Sequence, residues 1–291
     1  MADKFDLVMW TKNGAQTLPC VLKRIAQVIP SQNVANRIIV DDQSTDQTRS
    51  IAEEYGWRVV PSRGSGISDG ANTALELVGT ERFASFEQDL LLASDWWPNV
   101  PALLNSAETA VASGLRFSST PLAIRKLEEY DAQVFRQPSP NKLEAQAFGK
   151  TLDNTVYKTN IIRRLGGFPK LPVPAGIDTI LNHKLNLKNL NWAVDYSVRS
   201  VHFRAGLRQE LRHLRWYAEC FDAINQMQTG SPYPLRNLYR RMLLGPARGF
   251  QLALKTGTPQ IIYAYPLMRL SYINGIVASR RKLGVKAKQH G

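Results

Sequence analysis

Cysteine is scarce in this chain: Cys20 and Cys220 are the only two in 291 residues, and neither has CxxC or Cys/His spacing. That excludes a zinc ribbon and a disulfide framework, and it points to a reducing compartment. No apolar signal segment separates Met1 from the strand-like run that begins at Phe5, so the expected location is cytoplasmic. A GKS/T phosphate loop is missing, as is GxGxxG, and neither a P-loop ATPase nor a dinucleotide fold is supported. Long apolar runs are missing too. The most apolar stretch, 261–278, carries Arg269 and several polar residues and falls short of a spanning helix. There is no internal repeat and no low-complexity tract. Acidic residues are nearly absent from the last third: residues 199–291 hold 16 Lys/Arg against Glu210, Glu219 and Asp222, whereas residues 1–198 are neutral. The whole net charge of +13 therefore sits at one end, which favours a polyanionic neighbour such as an anionic membrane, a phosphorylated lipid or nucleic acid; a solvated basic tail is the plainer reading.

What is present is an α/β pattern. Apolar runs at 5–11, 37–40, 57–60 and 82–86 read as strands, and helical spacing over 15–29, 45–55 and 67–78 separates them. Such alternation predicts βαβ units and a mostly parallel central sheet flanked by helices. From 114 to 204 the pattern is mixed, with strand-like pieces at 115–119, 152–157, 192–194 and 197–203. Loops rich in Pro and Gly fall at 137–140 and 166–174. Past Gly206 the chain reads as helical and basic. The expected division is a catalytic domain over 1–204 and a basic, amphipathic helical region over 205–291.

In an open parallel sheet, ligands bind where loops converge at the carboxyl ends of the strands. The first four strands lead there into Trp10-Thr11-Lys12-Asn13, Asp41-Asp42-Gln43-Ser44-Thr45-Asp46, the turn Arg63-Gly-Ser-Gly66, and Glu87-Gln88-Asp89. Each has a structural reading as well. Ser44 or Thr45 can cap the next helix with Asp46 favoured by its dipole, and the glycines can serve backbone geometry alone.

Taken in order, these segments resemble family 2 glycosyltransferases of the GT-A fold, over roughly residues 5–204. The block Asp-Asp-x-Ser-x-Asp is matched by Asp41, Asp42, Ser44 and Asp46, and the helix start by Gly66 and Ala71-Asn72. The DxD motif falls on Glu87-Gln88-Asp89, the Gly-Gly-Phe loop on Gly166-Gly167-Phe168, the acidic helix start on Ile177-Asp178, and the late strand histidine on His202. Within the family the chain is similar to dolichyl- and polyprenyl-phosphate sugar synthases and related lipid-linked glycan transferases.

The resemblance implies an inverting transfer from a nucleotide-diphosphate sugar, UDP- or GDP-linked, with Mn²⁺ or Mg²⁺ as cofactor. Asp89 would hold the metal, with His202 as a further metal or phosphate contact; a buried strand histidine is the alternative. Thr11, Lys12, Asp41, Asp42, Arg63, Gly66, Glu87 and Gln88 would form the nucleotide-sugar site, with Glu87 on the ribose or a metal-bound water. Asp178 would be the catalytic base, against the simpler reading of a carboxylate at a helix N-terminus. Three departures from the family pattern stand out: Glu87 as the first DxD acid, Trp10-Thr-Lys12 in place of Pro-x-Tyr, and Ile177 in place of an acid.

Arg212-His-Leu-Arg215-Trp216 keeps only part of the Gln-x-x-Arg-Trp motif of processive relatives, so processive synthesis is not expected. Arg204, Arg208, Arg212 and Arg215 recur at helical spacing and suit either a phosphate or a solvated face. Basic and apolar residues interleave over 235–255, which fits helices lying in a membrane interface as well as helices packed on the core. A polyprenyl phosphate or lipid-linked glycan acceptor and a peripheral place on the cytoplasmic membrane face follow from the first reading, a soluble acceptor from the second. A nucleotidyltransferase lacks its Gly-rich signature here. The other alternative is an inactive GT-A-like protein that binds a polyanion through its basic end; no nucleic-acid motif is present, and no nucleic acid is expected.

Overall fold

The computed structural model describes residues 4–136, 148–204 and 206–289. The loop expected at 137–140 lies outside them. Two compact units make up the chain, one from residues 1–117 and 135–203, the other from 118–134 and 204–291. The segment 118–134 thus belongs with the C-terminal helices rather than with the sheet that precedes it in sequence.

The first unit is built on an eight-stranded sheet of order β3-β2-β1-β4-β7-β6-β8-β5. Strand β1 (Phe5–Thr11) is buried at all seven positions because it lies between β2 (Val34–Asp41) and β4 (Arg82–Phe86), both parallel to it. Strand β3 (Arg58–Pro61) extends the parallel half. Thr11 pairs with Asp41, and Asp41 with Pro61, so the three strands end level at one rim. Beyond β4 the pairing turns antiparallel. Strand β7 (Asn154–Lys158) pairs with both β4 and β6 (Thr109–Ser118), and the two-residue β5 (Leu90–Leu91) pairs with β8 (Asn191–His202). The two strand-like pieces at 192–194 and 197–203 form this one long β8.

Alternate residues of β1 face opposite cores, as the two-residue period of a strand requires. Leu7 and Met9 join a cluster with α1 (Leu18–Val28) and α4 (Trp96–Ala102). Val8 and Trp10 join another with α3 (Ile67–Leu77), α6 (Thr159–Arg164) and α7 (Ile177–Asn186). Helix α1 buries Leu18, Val21, Leu22 and Ile25, the stripe its spacing predicts. A short α2 (Thr48–Glu54) follows β2. Neither Ser44 nor Thr45 caps it. Asp46 accepts the Thr48 N–H at 3.0 Å and also the Ala15 N–H at 3.1 Å, so it ties the loops after β1 and β2 together.

The second unit is helical: α5 (Leu122–Phe135), α8 (Leu207–Thr229), α9 (Leu235–Leu243), α10 (Gly245–Thr256) and α11 (Ile261–Gln289). Helix α5 packs Ala123 and Leu127 against Leu252, Ile261 and Ala264 of α10 and α11. Leu238 of α9 packs with Ala218, Ile273 and Ile276. No helix among the described residues is long and apolar enough to cross a membrane.

Candidate active site

The parallel rim carries a connected set of polar groups. Thr11 Oγ1 bonds to the Gln88 side chain, whose Oε1 also accepts the Lys12 N–H at 3.0 Å while its Nε2 donates to the Lys12 carbonyl at 3.0 Å. Gln88 therefore straps the loop after β1 to the loop after β4. Gly14 fits beneath the strap; a Cβ there would lie 2.5 Å from Gln88 Oε1. Asn13, at φ 51°, donates its N–H to Ser44 and accepts the Thr45 N–H at 2.8 Å.

Asp41 and Asp42 each use one carboxylate oxygen. Asp41 Oδ2 accepts the Ser44 N–H at 3.2 Å and lies 3.8 Å from Arg49. Asp42 Oδ2 accepts the Gly66 N–H at 3.0 Å and the Ser65 hydroxyl at 3.4 Å, with Lys12 Nζ at 3.4 Å. The second oxygen of each, Oδ1, is buried and has no hydrogen-bond partner among the described residues. A buried acceptor without a donor is costly and calls for a missing partner. Gly66 reaches Asp42 from φ 87°, a backbone region glycine enters without strain. Arg63 does not join this group. Its guanidinium pairs with Glu76 on the exposed side of α3.

A second group lies where β4 gives way to β5. The antiparallel β5–β8 pair sets Leu90 opposite His202, and the Phe203 N–H bonds the Asp89 carbonyl at 2.8 Å. This register carries His202 Nε2 to 3.1 Å from Asp89 Oδ1 and 3.8 Å from Glu87 Oε2. One ligand atom from each of Glu87, Asp89 and His202 lies within 4.8 Å of the others. His202 is 4% exposed, yet it faces two carboxylates and not an apolar core.

Two residues read from sequence only as strand prove central. Arg116 Nη1 from β6 lies 2.5 Å from Asp153 Oδ2, 3.4 Å from His202 Nδ1 and 3.7 Å from Glu87 Oε2. Asp153 is fully buried just ahead of β7, where the next residue, Asn154, pairs with Phe86 at the end of β4. Among the described residues, the carboxylates of Glu87, Asp89 and Asp153 gather here around Arg116, an acidic setting that suits a divalent cation. Two carboxylates and an imidazole form a donor set Mn²⁺ accepts readily; Mg²⁺ prefers oxygen alone. The residues fit such an ion. A lone arginine in an otherwise small and apolar strand was the signal available for Arg116.

Asp178 opens α7 behind Gly176, which sits at φ 95°. Its Oδ1 accepts the Thr179 N–H at 2.8 Å. Burial, the leading cause, raises its pKa above the usual carboxylate value; the Thr179 bond and the Arg116 charge oppose the rise, and Asp153 adds to it. Arg116 and Asp153 thus link Asp178 electrostatically to the Glu87–Asp89–His202 group. Ile177 beside it is 3% exposed and packs with Phe168, Leu181 and Trp192, a place where an acid would lack partners. One turn on, Asn182 accepts a hydrogen bond at 3.0 Å from Lys150, whose pKa burial lowers to about 8.

Asn72 and the Gly-Gly-Phe loop form a latch. Asn72 Nδ2 donates to the carbonyls of Ser68 and Phe168, both at 2.9 Å, and its Oδ1 accepts the Phe168 N–H at 2.9 Å. A Cβ on Gly167 would collide with that amide oxygen.

The family model for glycosyl transferase family 2 matches residues 6–166, more than half the chain. The chain belongs to glycosyl transferase family 2. Asp178 and His202 lie beyond the matched residues, so their positions are known from the structure alone. Among curated proteins, none matches this family 2 glycosyltransferase by sequence. Solved structures share its GT-A fold. A mannosyltransferase from Pyrobaculum calidifontis, in complex with GDP-Man and Mn²⁺, is 20% identical with a TM-score of 0.67, over 96% of this chain and 87% of that one. S. aureus TarS in complex with UDP is 17% identical with a TM-score of 0.54, over 96% and 92%. Glucosyl-3-phosphoglycerate synthase from Mycobacterium tuberculosis, with Mn²⁺, UDP and glucosyl-3-phosphoglycerate, is 15% identical with a TM-score of 0.53, over 79% and 81%.

Proposed function

We propose that this family 2 glycosyltransferase moves a sugar, with inversion, from a nucleotide-diphosphate donor to a phosphorylated lipid or lipid-linked glycan. The observation that carries the donor site is the Glu87–Asp89–His202 group at the carboxyl rim of the parallel strands. Asp89 and His202 would hold Mn²⁺, or Mg²⁺ less readily, with Glu87 beside them on the ion, its water or the ribose. When bound, the ion supplies Lewis-acid stabilisation of the leaving diphosphate. The mannosyltransferase with GDP-Man and the two enzymes with UDP support a nucleoside diphosphate as ligand and leave the base open between guanine and uracil.

The unpartnered oxygens of Asp41 and Asp42 are acceptors for the N–H of a base and the hydroxyls of a ribose. Thr11 and Lys12, held by Gln88, would frame that pocket, and the Gly66 N–H fixes the Asp42 carboxylate. Arg63, read from sequence as part of this site, is paired with Glu76 on the exposed side of α3. Asp178 would take the acceptor proton, and its raised pKa makes it the stronger base once ionised. If the acceptor is a phosphate, already ionised, Asp178 orients it instead. The uncompensated basic charge of the last third supports an anionic acceptor borne on a membrane.

Calorimetric titration of UDP, GDP and their sugar conjugates, with and without Mn²⁺, tests the donor site. Binding of one nucleotide that needs the metal and disappears in Asp89→Ala is the expected result. Folded wild type that binds no nucleotide in the presence of metal would leave the carboxylates with a structural role only.

A further inference from the structure

The helical unit exposes an unusual amount of apolar surface. Nine of the fourteen exposed large apolar side chains among the described residues fall within 239–270. They follow helical faces. On α11, Tyr263 and Leu267 stand one turn apart, with Ile262 beside them; on α10, Phe250 and Leu254 do the same; on α9, Leu243 is 76% exposed. Helices α10 and α11 cross closely at Gly249, where a Cβ would meet the Ile262 carbonyl at 3.2 Å and Pro266 Cδ at 3.2 Å. Phe250 and Ile262 each adjoin or belong to that crossing, and both side chains are exposed. Solvated surfaces of folded proteins seldom gather large apolar groups in this way.

The charge on the same helices selects the occupant. Arg236 and Arg240 on α9, and Arg248 and Lys255 on α10, are exposed among the apolar groups. No Asp or Glu follows Asp222 anywhere in the sequence. A second copy of this chain would bring like charge against like charge, whereas an anionic bilayer offers negative headgroups over an apolar interior. We infer that the exposed face of α9, α10 and α11 docks on an anionic lipid bilayer and lies in its interface without crossing it. This deepens the proposed function, since it is a means of reaching a lipid-borne acceptor, but the docking itself does not depend on the donor reading.

Flotation of the full-length protein with phosphatidylglycerol/phosphatidylcholine vesicles, against phosphatidylcholine alone, tests it without nucleotide or metal. Wild type should float with the anionic vesicles at low salt and only weakly with neutral ones. Replacing Arg236 and Arg240 by Gln should weaken partitioning roughly thirtyfold, from about fivefold for each basic residue near an anionic surface. Phe250→Glu with Leu254→Glu should abolish flotation while the melting temperature is kept, because both side chains are exposed. Wild type that stays in solution with anionic vesicles at low salt overturns the inference, as does a dimer that the Phe250→Glu, Leu254→Glu protein cannot form and that does not float. Nucleotide titration on the same samples separates the outcomes: a protein that floats but binds no donor overturns the donor reading alone.

Discussion

Replacement of Asp42 by asparagine separates ligand recognition from folding at a single position. Asparagine has the shape of aspartate and retains one acceptor for the Gly66 N–H, which Asp42 now accepts at 3.0 Å. The other atom, at the buried Oδ1 position that has no partner among the described residues, becomes an NH₂ group. It can no longer accept from a base or a ribose. A hydrogen bond to a charged acceptor contributes about 1.5–3 kcal/mol, so nucleotide affinity should fall by about 10- to 150-fold. The free protein loses only the Lys12 contact at 3.4 Å, from a side chain that is 54% exposed. Such a pair contributes at most about 1 kcal/mol, so the melting temperature should move by no more than about 4 °C. Calorimetry of nucleotide binding and a thermal melt of the same sample measure both. Unchanged affinity refutes the argument, and so does a melting temperature that collapses along with binding, since Asp42 would then be a structural brace.

Three other outcomes are expected. Asn72→Ala removes three hydrogen bonds of 2.9 Å and strands the buried Phe168 N–H, so denaturant unfolding should show a loss of about 2–4 kcal/mol; a loss within error would mean that the Gly-Gly-Phe loop is held elsewhere. Asp178 has a raised pKa in the folded state, so its protonated form favours folding at low pH and that contribution is lost as pH rises through the folded pKa. Asp178→Asn should therefore melt higher than wild type at neutral pH and the same in acid, while transfer to a hydroxyl acceptor falls by about 10²- to 10⁴-fold with donor affinity intact. Lys150 shows the opposite sign: its pKa falls to about 8, so the folded protein resists its protonation, and stability should climb from neutral pH up toward the ordinary lysine value. Lys150→Met should flatten that climb in melts recorded across the range, and an unchanged slope would show that the amine is solvated.

The polar rim at the carboxyl ends of the parallel strands was legible in the sequence because it depends on order. In a parallel sheet each strand must end at the same edge, so polar residues after β1, β2, β3 and β4 converge whatever the loops between them do. Partnerships across the antiparallel half were not legible. Nothing in the run around Leu90 and Leu91 announces a two-residue strand, yet that pair sets His202 beside Asp89. Arg116 was hidden for a related reason: its partners Asp153 and His202 lie at the ends of strands whose register no local pattern fixes. Local chemistry also misled at one place. Ser44 and Thr45 have the composition of helix caps, but the loops after β1 and β2 use them to grip Asn13.

The three departures from the family pattern have different standing once packing is considered. Ile177 closes the core over Phe168 and Trp192, so the loss of an acid there follows from how α7 is seated, with Asp178 left at the edge of the same core. Trp10 is similar. Its side chain is packed so tightly under α3 that a Cβ on Gly70 would come within 2.8 Å of it, and its neighbours Thr11 and Lys12 are held by Gln88. The rim after β1 is thus tied down by the central residue of Glu87-Gln88-Asp89, whose side chain bonds Thr11 and Lys12. Glu87 is the departure that bears on chemistry. Its longer arm ends 3.7 Å from Arg116, which a shorter aspartate would meet less closely. Arg116 in turn pairs with Asp153 and approaches His202, so Glu87, Asp153 and His202 all lie near one guanidinium.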